Sequence, residues 1–385
     1  MLIRIKKYRI PAFLLLVICG ILLFSGIAYG EEYVEDPLNI IESLDISSWE
    51  DYFKEASVYD GSLIQYVKAI IQKGDSINIT SVCRALLSGI IDGVRGHFPW
   101  ICVIITLGVL SAIAHTLMDN EVRCGVMKIA ITILTSAGAV VMLQGTASVV
   151  EGAGYYIERA SSFTRVASPV LSALVIASGN VVSGGKMAVY AALTGELCYA
   201  ITDKFILPLL VCICVLSICS QISGDKMLSG VCKSGRNICN WGISLLFGVV
   251  FSVASLNGFV SGMGGGLASQ SIKNTLSAFS SLGGGYLSKG LDTIVSCAST
   301  AKGALGMAGV ITIAFMSVFP SFNILGIALL YKGAGGILAF LGEEKISASL
   351  TSVGGVYTTV FLCVVASSVL CGVMIAIMAV SSLGI

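Results

Sequence analysis

The sequence predicts an all-α fold, a polytopic α-helical membrane protein with an N-terminal signal peptide and a helical extracytoplasmic segment. Of its 385 residues, 56% are hydrophobic and only 12% are charged, whereas soluble domains carry about 25% charged residues. The mean hydropathy is +0.92. A soluble fold could not bury this much apolar surface, so we expect several membrane crossings. The 44 glycines and only 6 prolines are typical of closely packed membrane helices.

The first 30 residues contain the three parts of a secretory signal peptide. A basic stretch, RIKKYR at 4–9, precedes an apolar stretch at 12–24. The small residues Ala28 and Gly30 then permit cleavage before Glu31. The alternative is a signal that stays attached as a membrane anchor. In either case the chain that follows is expected outside the cytoplasm.

The exported segment, residues 31–96, is acidic, since it holds 12 of the 22 acidic residues and only five of the 23 basic ones. Apolar residues recur there at helical spacing, most clearly at 79–95. We expect 79–95 to form an amphipathic helix that lies on the outer membrane surface or against a partner helix. The other interpretation is a helix packed within the protein's own exported part.

The rest of the chain, residues 97–385, is the predicted multi-pass transmembrane domain. A membrane-spanning helix needs about 20 mainly apolar residues, and nine stretches meet that requirement. The pair within 303–341 is either two spans or a helical hairpin that dips into the membrane. The predicted spans are 98–118, 126–148, 166–184, 186–202, 205–221, 241–262, 303–320, 321–341 and 355–381.

The basic residues predict the orientation of these spans, because cytoplasmic loops are enriched in lysine and arginine. Lys226, Lys233 and Arg236 form a short basic loop, which we place in the cytoplasm. Counting nine spans then leaves 263–300 and 342–354 outside and the C-terminus inside.

The segment 263–300 is rich in glycine, with GMGGG at 262–266 and GGG at 283–285. Apolar residues between and after these runs predict two short amphipathic helices. They lie on the membrane surface, re-enter the membrane, or line a water-filled path, because irregular backbone at membrane depth must be covered by protein or water.

The sequence contains no motif for phosphate or dinucleotide binding, for a zinc protease or for a serine hydrolase. We therefore predict that the protein is not an enzyme and uses no cofactor. Most of the 13 cysteines lie in apolar runs without a C-x-x-C pair, which indicates packed thiols rather than metal ligands. The net charge of +1 gives no indication of a nucleic-acid partner, and the lipid bilayer is the partner that the composition implies.

Two ionisable residues, Glu196 and Lys332, lie deep within predicted spans. Such a residue costs about 2.5–3.5 kcal/mol at the centre of a membrane helix, so each is a candidate functional residue. A Lys332–Glu196 ion pair would lower the cost of both. Otherwise Lys332 lies at a hairpin turn or reaches a polar interface.

The residues next to Lys332 add support for a functional role of this lysine. Tyr331 precedes it, and the run GAGG follows at 333–336. The glycines at Gly333, Gly335 and Gly336 would allow another helix or backbone to come close.

Residues 301–342 read AKGALGMAGVITIAFMSVFPSFNILGIALLYKGAGGILAFLG. Lys302, the small-residue run at 303–309, the pair Phe319-Pro320 and the stretch ALLYK that ends at Lys332 resemble the C-terminal core of the stage III sporulation protein AE family of endospore-forming bacteria. The outline is similar too, with a signal sequence, an acidic exported segment and a polytopic C-terminal part. The exported segment itself carries no matching motif.

The resemblance implies a membrane subunit of a secretion-like channel, or feeding-tube, complex that links the mother cell to the forespore and is needed for forespore development. The implied partners are other stage III sporulation membrane and ring proteins and a secretion-type ATPase. The implied location is the mother-cell-derived membrane around the forespore.

Within such a complex, our hypothesis for Lys332 is a broken span or hairpin built from Pro320 and 333–336. The lysine would be packed inside protein, where it lines a conduit or holds a partner subunit. A stand-alone secondary transporter is the alternative function, since discontinuous helices and intramembrane charges are typical of that class.

Overall fold

A computed structural model of the chain describes residues 46–55, 62–67, 79–116, 124–178, 181–223, 227–250, 252 and 285–380. These segments are almost entirely helical and contain no β-strand, which confirms the predicted all-α fold. The signal segment 1–30 and the first glycine-rich run lie outside the described residues.

Eight α-helices are numbered here in chain order. A π-helical segment, Thr202–Ile206, joins the fourth to the fifth without a turn. The helices are α1 (Ser47–Glu55), α2 (Ile79–Thr116), α3 (Cys124–Ala177), α4 (Val181–Ile201), α5 (Leu207–Ser223), α6 (227–250), α7 (Gly285–Phe340) and α8 (Glu344–Val380).

Five stretches of the described helices are long and apolar enough to cross a membrane, which confirms the class of multi-pass membrane protein. Their lengths run from 31 to 51 residues, although about 20 residues suffice to span the hydrocarbon core. Each therefore extends beyond a single bilayer-length segment. The stretches are Leu86–Thr116, Met127–Ala177, Gly185–Ser223, Thr300–Phe340 and Glu344–Ala379.

The predicted division of the chain into nine spans is wrong for the described helices. The predicted spans 303–320 and 321–341 are one helix, α7, with Pro320 in its interior. In the same way, α3 contains the span 126–148 and most of 166–184. A window of about 20 residues measures what a bilayer requires, but it does not show where a helix ends.

The turn at Gly342 ends α7 and starts the hairpin that α7 forms with α8. Gly342 has a φ of 81°, which is favourable for glycine because it lacks a Cβ. Its N–H donates to the Ala339 carbonyl at 3.2 Å, and the Glu343 N–H donates to the Leu338 carbonyl at 3.1 Å. These two bonds form a Schellman C-cap.

Along the hairpin, α7 and α8 run antiparallel and approach closely at glycine. A Cβ added at Gly335 would lie 3.0 Å from the Ser347 carbonyl oxygen, and one at Gly354 would lie 3.0 Å from the Ala328 carbonyl oxygen. Near the far end of the hairpin, a Cβ at Gly306 would overlap Ala379. The absence of side chains at these positions allows the two backbones to touch over most of their length.

Helix α2 lies parallel to α7, and these two helices also approach each other closely at glycine residues. A Cβ at Gly89 would lie 3.0 Å from the Phe319 carbonyl oxygen, and one at Gly93 would overlap the carbonyl of Asn323. Gly89 and Gly93 are four residues apart, so both lie on one helix face. The predicted stripe at 79–95 is thus the first part of α2, and its glycine face packs against this chain's own α7.

Apolar side chains form two main cores at different levels of the bundle. The hairpin-end core surrounds Tyr331 and Tyr357 and joins α2, α3, α5, α6, α7 and α8. The α1 core surrounds Trp49 and Phe163, and it joins α1, the second half of α3, α4, α6 and the far ends of α7 and α8. The short helix α1 is therefore part of the bundle.

The ends of the helices correct the predicted orientation of the C-terminal part. The turn at Gly342 lies at the end of the bundle where α2 finishes, because the Ser111 hydroxyl donates to the buried Glu343 carboxylate at 3.0 Å. Helix α5 finishes there as well, since Ser217 bonds Ser352. Arg236 also donates to Ser352, so the prediction that 342–354 lies on the opposite side from this basic residue is wrong, because α7 was counted as two spans instead of one.

We expect Gly93→Ala to destabilise the protein by about 1–3 kcal/mol, the usual cost of overpacking. The new Cβ would meet the Asn323 backbone, which cannot move independently of α7. Thermal unfolding of the purified chain in detergent or nanodiscs measures the effect. Gly96→Ala is the matched control, because a Cβ there has no neighbour within 4 Å. Equal melting temperatures for the two variants would contradict the close α2–α7 contact.

We expect cysteines at positions 345 and 128 to react with a membrane-impermeant thiol reagent from the same side of the membrane. A cysteine at 54 should react from the opposite side. The reason is that α1 packs near Gly309, about 46 Å along α7 from Phe340 at a 1.5 Å rise, and the hydrocarbon core is only about 30 Å thick. Lys54→Cys, Lys128→Cys and Lys345→Cys on a cysteine-free background test this in oriented vesicles. Labelling of 54 and 345 from one side would exclude this topology.

Candidate functional site

Lys332 lies on α7 beside α8, at the surface of the bundle. Its Cγ lies 2.8 Å from the position of a Cβ on Gly354, so the aliphatic stem crosses α8 where that helix has no side chain. Its Nζ donates to the Thr358 hydroxyl at 2.8 Å. The residue is exposed in the single chain, so it is not buried within this chain's own bundle. That Lys332 is packed inside protein within a complex stays a prediction.

Glu196 lies elsewhere and pairs with another residue. One of its carboxylate oxygens is 3.5 Å from the Arg165 guanidinium, and both side chains are about half exposed (52% and 48%). Gly195 explains the placement, because it brings α4 to within 3.2 Å of the Ser161 carbonyl of α3, measured from a Cβ on Gly195. The predicted Lys332–Glu196 pair is not formed.

The predicted break in the helix around Lys332 is also absent. Helix α7 continues through Pro320 and through Gly333, Gly335 and Gly336. Gly335 faces α8, where the Thr351 hydroxyl lies 2.7 Å from a Cβ on the glycine, whereas Gly333 and Gly336 face open space. The glycine run is therefore a contact on one side of α7 and a bare surface on the other.

Arg236 approaches the same part of α8 from α6, although the sequence placed it in a loop. One guanidinium nitrogen donates to the Ser352 carbonyl at 2.9 Å and to its hydroxyl at 2.6 Å. The other terminal nitrogen lies 2.8 Å from the position of a Cβ on Gly355. The buried Nε of Arg236 makes no hydrogen bond. Cys232 and Cys239 are both buried, and their spacing of seven residues is the sequence feature that could have indicated a packed helix here.

A buried polar cluster lies at the centre of the hairpin-end core. The rings of Tyr331 and Tyr357 are perpendicular, with centroids 5.0 Å apart, and neither residue is exposed. The Thr146 hydroxyl is 3.1 Å from the Tyr357 hydroxyl and 3.4 Å from the Cys214 sulfur. The cluster connects α3, α5, α7 and α8. Of its members, the sequence indicated only Tyr331.

A second polar site attaches α1 to α3. Arg159 forms an ion pair with Glu55 and lies over the ring of Tyr52, 4.6 Å from its centroid. The Trp49 indole N–H donates to the Val166 carbonyl at 3.4 Å. A cation over an aromatic face is favourable, so these contacts fix α1 on the bundle.

In chemical terms, these polar groups connect helices. The described part of the chain contains no group of three histidine, cysteine or acidic residues that could hold a metal ion. The arrangement defines a polytopic helical membrane protein whose hydroxyl and cationic groups bind neighbouring helices.

Comparison with known proteins identifies the family. The chain matches the stage III sporulation protein AE family over residues 62–382, and it belongs to that family. It is 21% identical over 287 residues to the stage III sporulation protein AE of Bacillus subtilis (strain 168), which covers 74% of this chain and 71% of the relative. No solved structure matches. The family membership assigns the protein a role in sporulation and confirms the resemblance found in the sequence.

We expect Thr146→Val and Tyr357→Phe to be coupled in a double-mutant cycle. Each variant removes one side of the 3.1 Å hydroxyl contact, and interhelical hydrogen bonds in membrane proteins contribute on average about 0.6 kcal/mol, with a maximum near 1.7. Unfolding of the single and double variants in detergent gives the coupling energy. Tyr357 and Ser111 share no contact, so Ser111→Ala with Tyr357→Phe is the additive control. Additivity in the first cycle would show that the hydroxyl contact contributes nothing.

Proposed function

We propose that this protein is a membrane subunit of a secretion-like channel complex that links the mother cell to the forespore during sporulation and is needed for forespore development. Its partners are other stage III sporulation membrane and ring proteins and a secretion-type ATPase. It lies in the mother-cell-derived membrane around the forespore, with its exported segment in the intermembrane space. Membership in the stage III sporulation protein AE family is the observation that carries this proposal.

The interior of the single chain supports a subunit that works with partners. Tyr331, Leu338, Val353 and Tyr357 of the hairpin-end core have no exposed surface, so side chains fill this level of the bundle. A path for solute at this level would have to lie between this chain and other subunits.

The alternative of a stand-alone secondary transporter has weaker support. The broken helix expected near Pro320 is absent, because α7 is continuous there. The π-helical segment Thr202–Ile206 is the feature that favours this alternative, since π segments are frequent at functional sites. It joins α4 to α5 without separating them into two half-helices.

We expect the affinity-tagged, full-length chain to co-purify with a cytoplasmic ATPase and ring-forming proteins from cross-linked sporulating cells. The purified chain alone in proteoliposomes should accumulate no solute, since its core is filled. An unrelated tagged polytopic protein from the same cells is the control. Isolation of the chain without these partners, together with solute uptake by the chain alone, would favour the transporter.

A further inference from the structure

Lys332 carries its charge on an apolar part of the bundle surface. It lies about 12 Å along α7 from Phe340, at a 1.5 Å rise per residue, and so within the depth of a hydrocarbon core about 30 Å thick. Leu329, three residues before Lys332, and Ile337, five residues after it, are 53% and 52% exposed. A cation in such surroundings is costly and indicates a functional contact.

Among the described residues, neither Lys332 nor the nearby Arg236 has an acidic partner. Lys332 donates to a neutral hydroxyl, that of Thr358, and Arg236 donates to Ser352. In the part of the chain that the structure describes, no carboxylate forms an ion pair with either residue. The Nε of Arg236 is buried without a hydrogen bond. Two cations thus lie on either side of α8, and no carboxylate of the described residues forms an ion pair with them.

The chain itself has few carboxylates that could supply that charge. Between Asp225 and Glu343 the sequence contains one acidic residue, Asp292. Asp292 lies 40 residues before Lys332 on the same helix, which is about 60 Å away at 1.5 Å per residue. Glu343 is buried against Ser111, and Glu344 lies at the end of the bundle.

The surface around Lys332 has the shape that a membrane helix requires. Leu329, Lys332, Gly333, Gly336 and Ile337 recur at spacings of three and four residues, so they form one face of α7. A Cβ at Gly333 or Gly336 would meet nothing within 4 Å. Small residues at such a face let a second backbone approach closely, as glycine already does between α7 and its neighbours α2 and α8.

We propose that this face of α7 is the docking site for a transmembrane helix of a different subunit, and that this helix carries an aspartate or glutamate opposite Lys332. The inference rests on the proposed function, since it requires an assembly with other membrane proteins. The carboxylate pairs with the Lys332 ammonium, and its charge also offsets that of Arg236. The glycines Gly333 and Gly336 receive the partner's backbone.

The test uses the full-length, tagged chain in sporulating cells with a photo-reactive benzoylphenylalanine at position 337. We expect cross-linking to a membrane protein that has an acidic residue within a transmembrane segment. Lys332→Met should lower the cross-linked fraction roughly tenfold, the effect of a 1.4 kcal/mol loss of binding free energy, and Lys332→Arg should restore it. Position 133 is the matched control, because Ile133 is exposed on α3 (62%), away from this face, and should not cross-link to that partner.

Charge exchange then identifies the pair. Lys332→Glu should abolish the cross-link, and the combination of Lys332→Glu with lysine at the partner's acidic position should recover it. Cross-linking only to lipid, to a second copy of this chain, or to a partner without a membrane carboxylate would overturn the proposal. An unchanged fraction in Lys332→Met would do the same. Co-purification of the ATPase and ring proteins in these samples tests the proposed function separately. Loss of the cross-link with the co-purification retained contradicts only the docking site, whereas loss of the co-purification contradicts the proposed function.

Discussion

Close contact between helix backbones at glycine is the constraint on which this structure depends. In lipid, apolar side chains gain little by leaving one apolar environment for another, so helices associate through tight packing and hydrogen bonds. The α7–α8 hairpin satisfies this requirement at Gly306, Gly335 and Gly354. Helix α2 then packs on α7 through Gly89 and Gly93, and α3 to α6 complete the bundle around this centre. A chain with 44 glycines in 385 residues is suited to that form of packing.

Polar groups have specific positions within this packing. The Thr146–Tyr357 contact connects two helices inside the hairpin-end core, and the Arg159–Glu55 pair attaches α1 to α3. Each of these two contacts pairs its groups within the chain. Lys332 differs because its ammonium lies at the surface with only a hydroxyl partner. This difference separates a group that stabilises the fold from one that is available to another subunit.

Features of the fold that depend on the local sequence were predicted correctly. Features that depend on contacts between residues far apart in the chain were not. Helical structure, membrane class and family could be read from composition, periodicity and the 301–342 segment. The continuity of α7 could not be predicted, since proline and a glycine run usually mark breaks. In the structure α2 packs beside Pro320 and α8 packs against Gly335. Glu196 illustrates the same limit, because its partner Arg165 was set by the contact of α4 with α3. Arg236 was predicted to lie in a loop, whereas in the structure it lies on α6 and contacts α8.

By itself, the sequence determined that the protein is a helical, multi-pass membrane protein of a sporulation family, because hydrophobicity and short motifs are local properties of the chain. It also determined which positions could hold a charge at membrane depth. Only the tertiary structure decided how many long helices the apolar stretches form, which end of the bundle holds the turn at Gly342, and which partner each charge has. These outcomes depend on which helix faces meet. A glycine in the sequence shows that a close contact is possible there, but it does not show which helix makes that contact.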